Sequence, residues 1–178
     1  MDCGGRFPPY AMDFDHRDPE AKLFDVAAGK SMLKNRALLE AEVAKCDVIC
    51  ANCHRRRTHA RQQAGQFRIP TPTLKARTPS RDRKLREFHE RRREHVPLLR
   101  AFRSTPCFDC HQRFPWFVME FDHRDPTMKR RNVPQMAGSA SLMTLLREIE
   151  KCDIVCANCH RVRTYLRREA ARTSAGVA

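Results

Sequence analysis

Two pairs of cysteines and two Asp-His dipeptides are the residues of this 178-residue chain whose types and spacing point most directly to chemistry. Cys107-x-x-Cys110 and Cys156-x-x-Cys159 together supply four thiolates, a set that favours tetrahedral Zn²⁺ in a closed structural site. Such an ion would join two distant segments of a domain too small for a large hydrophobic core. Disulfides are the alternative, but they are disfavoured in a reducing compartment.

The cysteine cassette occurs twice. Lys45–Thr58 reads KCDVICANCHRRRT and Lys151–Thr164 reads KCDIVCANCHRVRT, with three differences between them. The FDHRDP segments align as well when Cys3 is placed opposite Cys110, so the chain is a tandem duplication. In the first copy the expected zinc ligands are Cys3, Cys50 and Cys53. A counterpart of Cys107 would precede Met1, so we expect either an upstream start or a first site that has lost a ligand.

One further cysteine in each copy, Cys46 and Cys152, comes shortly before the second cysteine pair. We interpret these two as small buried hydrophobic residues. The alternative is that Cys46 completes the first zinc site.

Asp122 and His123 end a predicted strand, and His160 directly follows a cysteine of the second pair. A carboxylate and an imidazole can hold a hard divalent cation such as Mg²⁺ or Mn²⁺, with positions left for water and a phosphate oxygen. A second imidazole beside the ion could take a proton from water. The first copy repeats these residues as Asp15, His16 and His54. The alternative for each is an ordinary surface polar residue.

The pattern of apolar residues predicts an α+β fold with two small zinc-stabilised domains. Strands are predicted over 10–16 and 116–123, and helices over 34–46, 81–95, 141–152 and 160–172. Pro97 is expected to end the helix over 81–95 or to start another. The predicted boundaries are 1–64 for the first repeat, 65–80 for a Pro-rich linker, 81–170 for a basic helix with the second repeat, and 171–178 for a disordered tail.

The charge balance is 35 basic against 21 acidic residues, a formal net charge of +14 with a pI near 9.9. Such an excess makes a polyanion the expected partner, nucleic acid before an acidic protein or a membrane surface. No apolar run is long enough to span a bilayer and the N-terminal segment lacks a signal-peptide core, so a cytoplasmic location is expected.

FDHRDP followed by CANCHR, bracketed by CxxC pairs, resembles the HNH endonucleases of the small four-cysteine type. The resemblance covers Cys3 to about Arg61 and Cys107 to about Arg168. It implies a ββα-metal fold in each copy, in which a β-hairpin and a helix grip a catalytic divalent ion and the zinc is separate. It also implies that His123 is the general base and that Asp122 and His160 bind the ion. His16, Asp15 and His54 would take these roles in the first copy.

The chain departs from the family at the asparagine that holds the general base. The family position is occupied by Lys151, and by Lys45 in the first copy. Asn158 and Asn52, inside the two CANCH segments, are the repeated asparagines and are the candidates for this role. Asn132 is another, but it aligns with Asp25.

These expectations together predict metal-assisted hydrolysis of DNA, with double-stranded DNA as substrate, by a chain that acts as a monomeric pseudo-dimer. Either both copies cut, or the first copy only supports binding. The alternatives are a tandem zinc module that binds DNA or RNA without cutting it, and a zinc-ribbon-like protein-interaction module. Phosphate contacts, which position DNA without reading its sequence, are expected from the basic residues beside the two sites: Arg17, Arg55, Arg57, Arg124, Arg161 and Arg163.

Overall fold

The computed structural model describes residues 2–28, 35–66 and 78–175 of the chain. The described residues form helices and two separate two-stranded sheets, so the predicted α+β class is confirmed. They fall into two compact units, the first made of Met1–Thr58 with Arg161–Ala178 and the second of His59–His160. The predicted domain boundaries were drawn from the sequence duplication, whereas these units are defined by compactness in space, so the predicted boundaries stay a prediction. Most of the predicted linker, residues 67–77, lies outside the described residues.

The first repeat is a β-hairpin whose long connection carries a helix and whose second strand runs into another helix. Its strands pair antiparallel, with Met12 opposite Cys50 and His16 opposite Cys46. The side chain of Asn35 accepts a hydrogen bond from the backbone N–H of Leu38 (3.2 Å) and so caps the connecting helix. The elements are β1 (Met12–His16), α1 (Arg36–Val43), β2 (Cys46–Cys50) and α2 (Ala51–Gln63), with 3-10 turns at Pro9–Ala11 and Val26–Ala28.

The second repeat has the same strand–helix–strand–helix order among the described residues, with one additional short helix in the connection between its strands, and a long helix precedes it. Met119 lies opposite Cys156 and His123 opposite Cys152, the register of the first hairpin. The residue pattern did not predict the second strand of each hairpin, because CDVIC and CDIVC are short; only the resemblance to the HNH endonucleases implied a hairpin. The elements are α3 (Pro79–Phe102), β3 (Met119–His123), α4 (Val133–Met136), α5 (Leu142–Ile149), β4 (Cys152–Cys156) and α6 (Ala157–Ala175), with a 3-10 turn at Pro126–Met128.

Helix α3 continues through Pro97, so the predicted end or restart of the helix at this proline is wrong. A proline inside a helix costs about 3 kcal/mol because it removes one backbone hydrogen bond and crowds the preceding turn. The residues after Pro97 offset this cost, because Leu99 is buried and Phe102 packs against the same apolar cluster. Thr78 caps the other end, since its hydroxyl accepts from the backbone N–H of Arg81 (3.3 Å).

The main hydrophobic core lies in the second unit, where α3, β3, α4 and α5 meet. Phe88 of α3 lies directly over Gly138, where an added Cβ would come within 2.2 Å of the ring. Glycine is therefore what allows α3 to lie this close to the segment after α4. The buried members of the core are Leu99, Phe121, Val133, Met136, Ala137, Ala140, Leu145 and Ile149.

The last helix is longer than predicted. Helix α6 extends to Ala175, so residues 171–175 of the predicted disordered tail are helical. Residues 176–178 lie outside the described residues. Among the described helices there is none with the length and apolar character that crossing a membrane requires.

Candidate metal centre

Four thiols converge in the second repeat. The Sγ atoms of Cys107, Cys110, Cys156 and Cys159 all lie within 4.8 Å of one another. Cys156 is the last residue of β4 and Cys159 lies in the first turn of α6, so the strand-to-helix junction brings this pair together. The backbone N–H of Cys156 also donates to Cys107 Sγ (3.2 Å). This group could hold a metal ion, and its donor set fits zinc.

A tight turn presents the first cysteine pair of the second repeat. His111 N–H donates to Cys107 O (2.9 Å), and His111 has a φ of 58°, in the left-handed region. Gly4 occupies the corresponding position of the first repeat with a φ of 64°. The two repeats therefore share this backbone conformation after their aligned cysteines, Cys110 and Cys3.

Three thiols converge in the first repeat: those of Cys3, Cys50 and Cys53. Cys3 Sγ and Cys50 Sγ are 3.8 Å apart. Two thiolates bound to tetrahedral zinc at about 2.3 Å are separated by about 3.8 Å, so this spacing also fits the ion. Among the described residues, this group and the four-cysteine group are the two cysteine clusters that could hold a metal.

Cys46 and Cys152 belong to neither cluster. Cys46 starts β2 and Cys50 ends it, so the length of a five-residue strand separates Cys46 from the thiol cluster. Its thiol instead donates to the backbone carbonyl of Glu42 (3.4 Å), as that of Cys152 does to Glu148 (3.3 Å). The alternative in which Cys46 completes the first cluster therefore does not match the structure.

Asp122 and His160, which are predicted to bind a divalent ion other than zinc in the second repeat, come together on one face of its hairpin. His160 Nε2 lies 3.3 Å from Asp122 Oδ1. Ligands about 2.1 Å from an octahedral ion, in adjacent positions, are about 3.0 Å apart, so these two atoms could share one cation after a small adjustment. Glu120, two residues before Asp122 and on the same face of β3, hydrogen-bonds His160 Nδ1. The two carboxylates raise the pKa of His160 to about 9.

The first repeat reproduces this arrangement. His54 Nε2 lies 3.5 Å from Asp15 Oδ1, and His54 Nδ1 donates to Asp13 Oδ2 (3.0 Å). Asp13 occupies the position of Glu120. Burial raises the pKa of Asp13, but the hydrogen bond from His54 and the positive charge of Arg161 outweigh it, so that the pKa lies below the ordinary value. Asp13 and Glu120 were not predicted as site residues, although their aligned acidic character was a usable signal.

His123, the predicted general base, is buried and engages a residue that the sequence analysis missed. Its Nε2 atom lies 2.9 Å from Oε1 of Glu148, a fully buried carboxylate in α5. His16 and Glu42 form the same pair at 2.8 Å in the first repeat. Because an ionised carboxylate can only accept, each contact requires a proton on Nε2 of its histidine, and Nδ1 is the other ring nitrogen.

Each buried glutamate is held ionised by further donors. Lys151 Nζ donates to Glu148 Oε2 (2.7 Å), and the backbone N–H of Arg130 donates to Oε1 (2.7 Å). Burial alone would raise the pKa of Glu148, but the hydrogen bonds from Lys151, Arg130 and His123 lower it to about 2. In the first repeat Lys45 makes the largest contribution to lowering the pKa of Glu42 to about 2. Lys151 and Lys45 thus hold the carboxylate that contacts the histidine in their respective repeats.

Asn158 and Asn52, the predicted base-orienting residues, are buried in the first turns of α6 and α2. Glu148 contacts Nε2 of His123, and Glu42 contacts Nε2 of His16. A catalytic role for either asparagine stays a prediction.

Several of the arginines predicted to bind DNA contact protein groups. Arg124 Nη1 donates to Cys152 O (3.1 Å) and Asp153 Oδ1 (3.2 Å), and Arg17 makes the corresponding contacts with Cys46 and Asp47. These two arginines bridge the strand ends of their hairpins.

Arg57 lies at the first candidate site, where its Nη1 is 3.1 Å from Asp15 and 2.7 Å from Asp47. The hydrogen bonds that Arg57 donates to the carboxylates of Asp2 and Asp47 raise its pKa, so this guanidinium stays charged. Roles of these arginines, and of Arg55 and Arg163, in DNA binding stay predictions.

Comparisons with protein-family models, with curated proteins and with solved structures found no match to this chain.

Proposed function

We propose that the protein is a divalent-metal-dependent endonuclease of the HNH type that hydrolyses phosphodiester bonds in DNA. The observation that carries the proposal is the recurrence, in both repeats, of an Asp–His pair with metal-ligand spacing next to a buried histidine whose tautomer is set by a glutamate. A zinc-stabilised structural module does not need either feature, and finding both twice favours a catalytic use. The two hairpin-plus-helix repeats would then be ββα-metal domains, each with a structural Zn²⁺ on its cysteines.

The proposed roles follow from the hydrogen bonds. Asp122 and His160 would bind Mg²⁺ or Mn²⁺, which when bound would neutralise charge on the phosphate and on the departing oxygen. His123 would accept the proton of the attacking water at Nδ1, because Nε2–H is held by Glu148. Ionised Glu148 would stabilise the imidazolium that results. The net charge of +14 supports DNA as the substrate.

The test is cleavage of supercoiled plasmid with Mg²⁺ or Mn²⁺ by the wild type and by two double variants, H16A/H123A and D15N/D122N. We expect each double variant to lose at least about 100-fold of the cleavage rate while it still binds the plasmid. The aspartate variants leave the buried His–Glu pairs intact, so a loss of activity in them cannot be attributed to disruption of these pairs. Exposed His89 on α3 provides the control, since His89→Ala is expected to cut normally.

The single variants then show which repeat cuts and whether linear product needs both. If the wild type binds plasmid and cuts it with neither metal, the nuclease proposal is wrong. The chain would then be a duplicated zinc module that holds nucleic acid.

A further inference from the structure

Helix α6 starts at the second thiol cluster, but its residues from Arg161 onwards belong to the first unit. Within that unit, Arg161 Nη2 lies between both oxygens of the Asp13 carboxylate, 2.7 Å from Oδ1 and 2.9 Å from Oδ2. Arg161 and Asp13 are 148 positions apart in the chain. A residue of the second repeat therefore contacts the acidic residue beside the first candidate cation site.

Asp13 connects Arg161 to that site. Its Oδ2 atom accepts from His54 Nδ1 (3.0 Å), and the other ring nitrogen of His54 faces Asp15 (3.5 Å). In metal sites, the second nitrogen of a ligating histidine is commonly held by a carboxylate that fixes the tautomer and the ring orientation. Asp13 has this position with respect to His54, and Arg161 holds Asp13.

A second contact places the same face of α6 within the first unit. The ring of Tyr165 stacks on that of Tyr10, with centroids 4.0 Å apart and an angle of 7° between the planes. Tyr165 is four residues after Arg161, so both side chains lie on one face of the helix. Tyr10 shortly precedes β1, the strand that carries Asp13 and Asp15.

The second unit contains the equivalent aromatic pair. His59 of α2 stacks on Phe117, with centroids 3.8 Å apart and an angle of 6°. In the repeat alignment, His59 corresponds to Tyr165 and Phe117 to Tyr10. The contact therefore occurs twice, each time with a helix contributed by the other repeat.

We infer that Arg161 is a positioning residue of the first repeat's cation site, where it acts through Asp13 on His54. The nature of the ion and its use rest on the proposed function. The first site is then complete only when the last helix of the second repeat is in place. This would make the duplicated chain more than two independent nucleases joined by a linker.

Binding of Mn²⁺ to the full-length, zinc-loaded protein tests the inference, with free Mn²⁺ measured by electron paramagnetic resonance. Asp122→Asn removes the second site, so the remaining specific binding reports on the first. In this background we expect Arg161→Gln to weaken Mn²⁺ binding on the order of tenfold, as loss of a residue that orients a ligand does. Arg172→Gln is the matched control, because it removes the same charge from α6 at an exposed pair with Glu169.

A double-mutant cycle separates positioning from a charge effect. If Arg161 acts through Asp13, Arg161→Gln will have no further effect once Asp13 is replaced by alanine. Additive effects, or Mn²⁺ binding that is unchanged or tighter in Arg161→Gln, would overturn the inference, since the guanidinium would then be a surface ion pair that competes with the ion. Equal zinc content in all variants checks that the fold is retained.

The pattern of Mn²⁺ binding among the variants distinguishes failure of this inference from failure of the proposed function. If Asp122→Asn abolishes all specific Mn²⁺ binding while Asp15→Asn does not, the first repeat is no cation site, and the inference is wrong while the second repeat keeps its proposed role. If the unmodified chain binds no Mn²⁺ specifically, the inference and the proposed function are both wrong.

Discussion

The two repeats have the same polar site but differ in their apolar cover, by which we mean the hydrophobic side chains that pack over each hairpin. Phe121 on β3 is only 9% exposed, whereas the aligned Phe14 on β1 is 43% exposed. The hydrogen bonds of His123 with Glu148 and of His16 with Glu42 nevertheless have nearly the same length. In the first repeat, where the described residues form only a small apolar cluster, the hairpin register and the local helix are therefore enough to form the polar network.

The cover of the second repeat comes largely from α3. Leu99 packs in the same cluster as Phe121, and the guanidinium of Arg103 lies 5.0 Å from the centre of the Phe121 ring. The described residues of the first repeat have a much smaller cluster, made of Ile49, Cys50 and Cys53 with Met12 packed against it. Its stability should therefore depend more on the thiol cluster than that of the second repeat does.

The largest expected effect tests whether the thiol clusters are metal sites. Cys156→Ser is expected to lower the zinc content from two equivalents to one and to unfold the second repeat, because structural zinc binding contributes roughly 10–16 kcal/mol to such domains. Metal analysis gives the content, and the fluorescence of Trp116, the single tryptophan of the chain, reports on folding.

Cys152→Ser is the control for this experiment, since Cys152 lies four residues away on the same strand and outside the cluster. An equal loss of metal in both variants, or a wild type without zinc, would contradict the assignment.

The next effect tests the difference in apolar cover. Phe121→Ala is expected to lower the free energy of unfolding by about 3–5 kcal/mol, as is usual for a buried phenylalanine. Phe14→Ala, at the aligned and half-exposed position, is expected to cost less than about 1 kcal/mol. Hydrogen exchange of peptides that contain β3 or β1, measured by mass spectrometry, resolves the two repeats. Similar losses in both would mean that the difference in burial has no energetic consequence.

The smallest expected effect tests the polar network that the repeats share, in which a buried glutamate contacts a histidine and a lysine. Glu148→Gln removes the charge that accepts from Lys151 and His123, and it is expected to speed amide exchange in β3 on the order of tenfold. Glu42→Gln should speed exchange in β1 by a similar factor, because Lys45 and His16 make the same contacts. A clear inequality between the two factors would show that the apolar cover also governs the polar network.

Much of the candidate site could be predicted from the sequence. The CxxC spacing identified both thiol clusters, because two residues between cysteines are enough to direct both thiols to one ion. The repeated Asp-His and Cys-His dipeptides identified Asp122, His160 and their counterparts, and the structure brings these pairs together. Strands β2 and β4 were missed, since five residues that include two cysteines carry little apolar alternation.

Four features could be recognised from the sequence alone: the duplication, the cysteine spacing, the Asp-His dipeptides and the basic charge. Each is a local pattern or a sum over residues. Only the tertiary structure decided that Glu148 contacts His123, across 25 positions of chain, and that Arg161 contacts Asp13, across 148. Both carboxylates resemble ordinary surface residues in the sequence. Their partners depend on the hairpin register and on the path of α6, which are set by packing between distant segments.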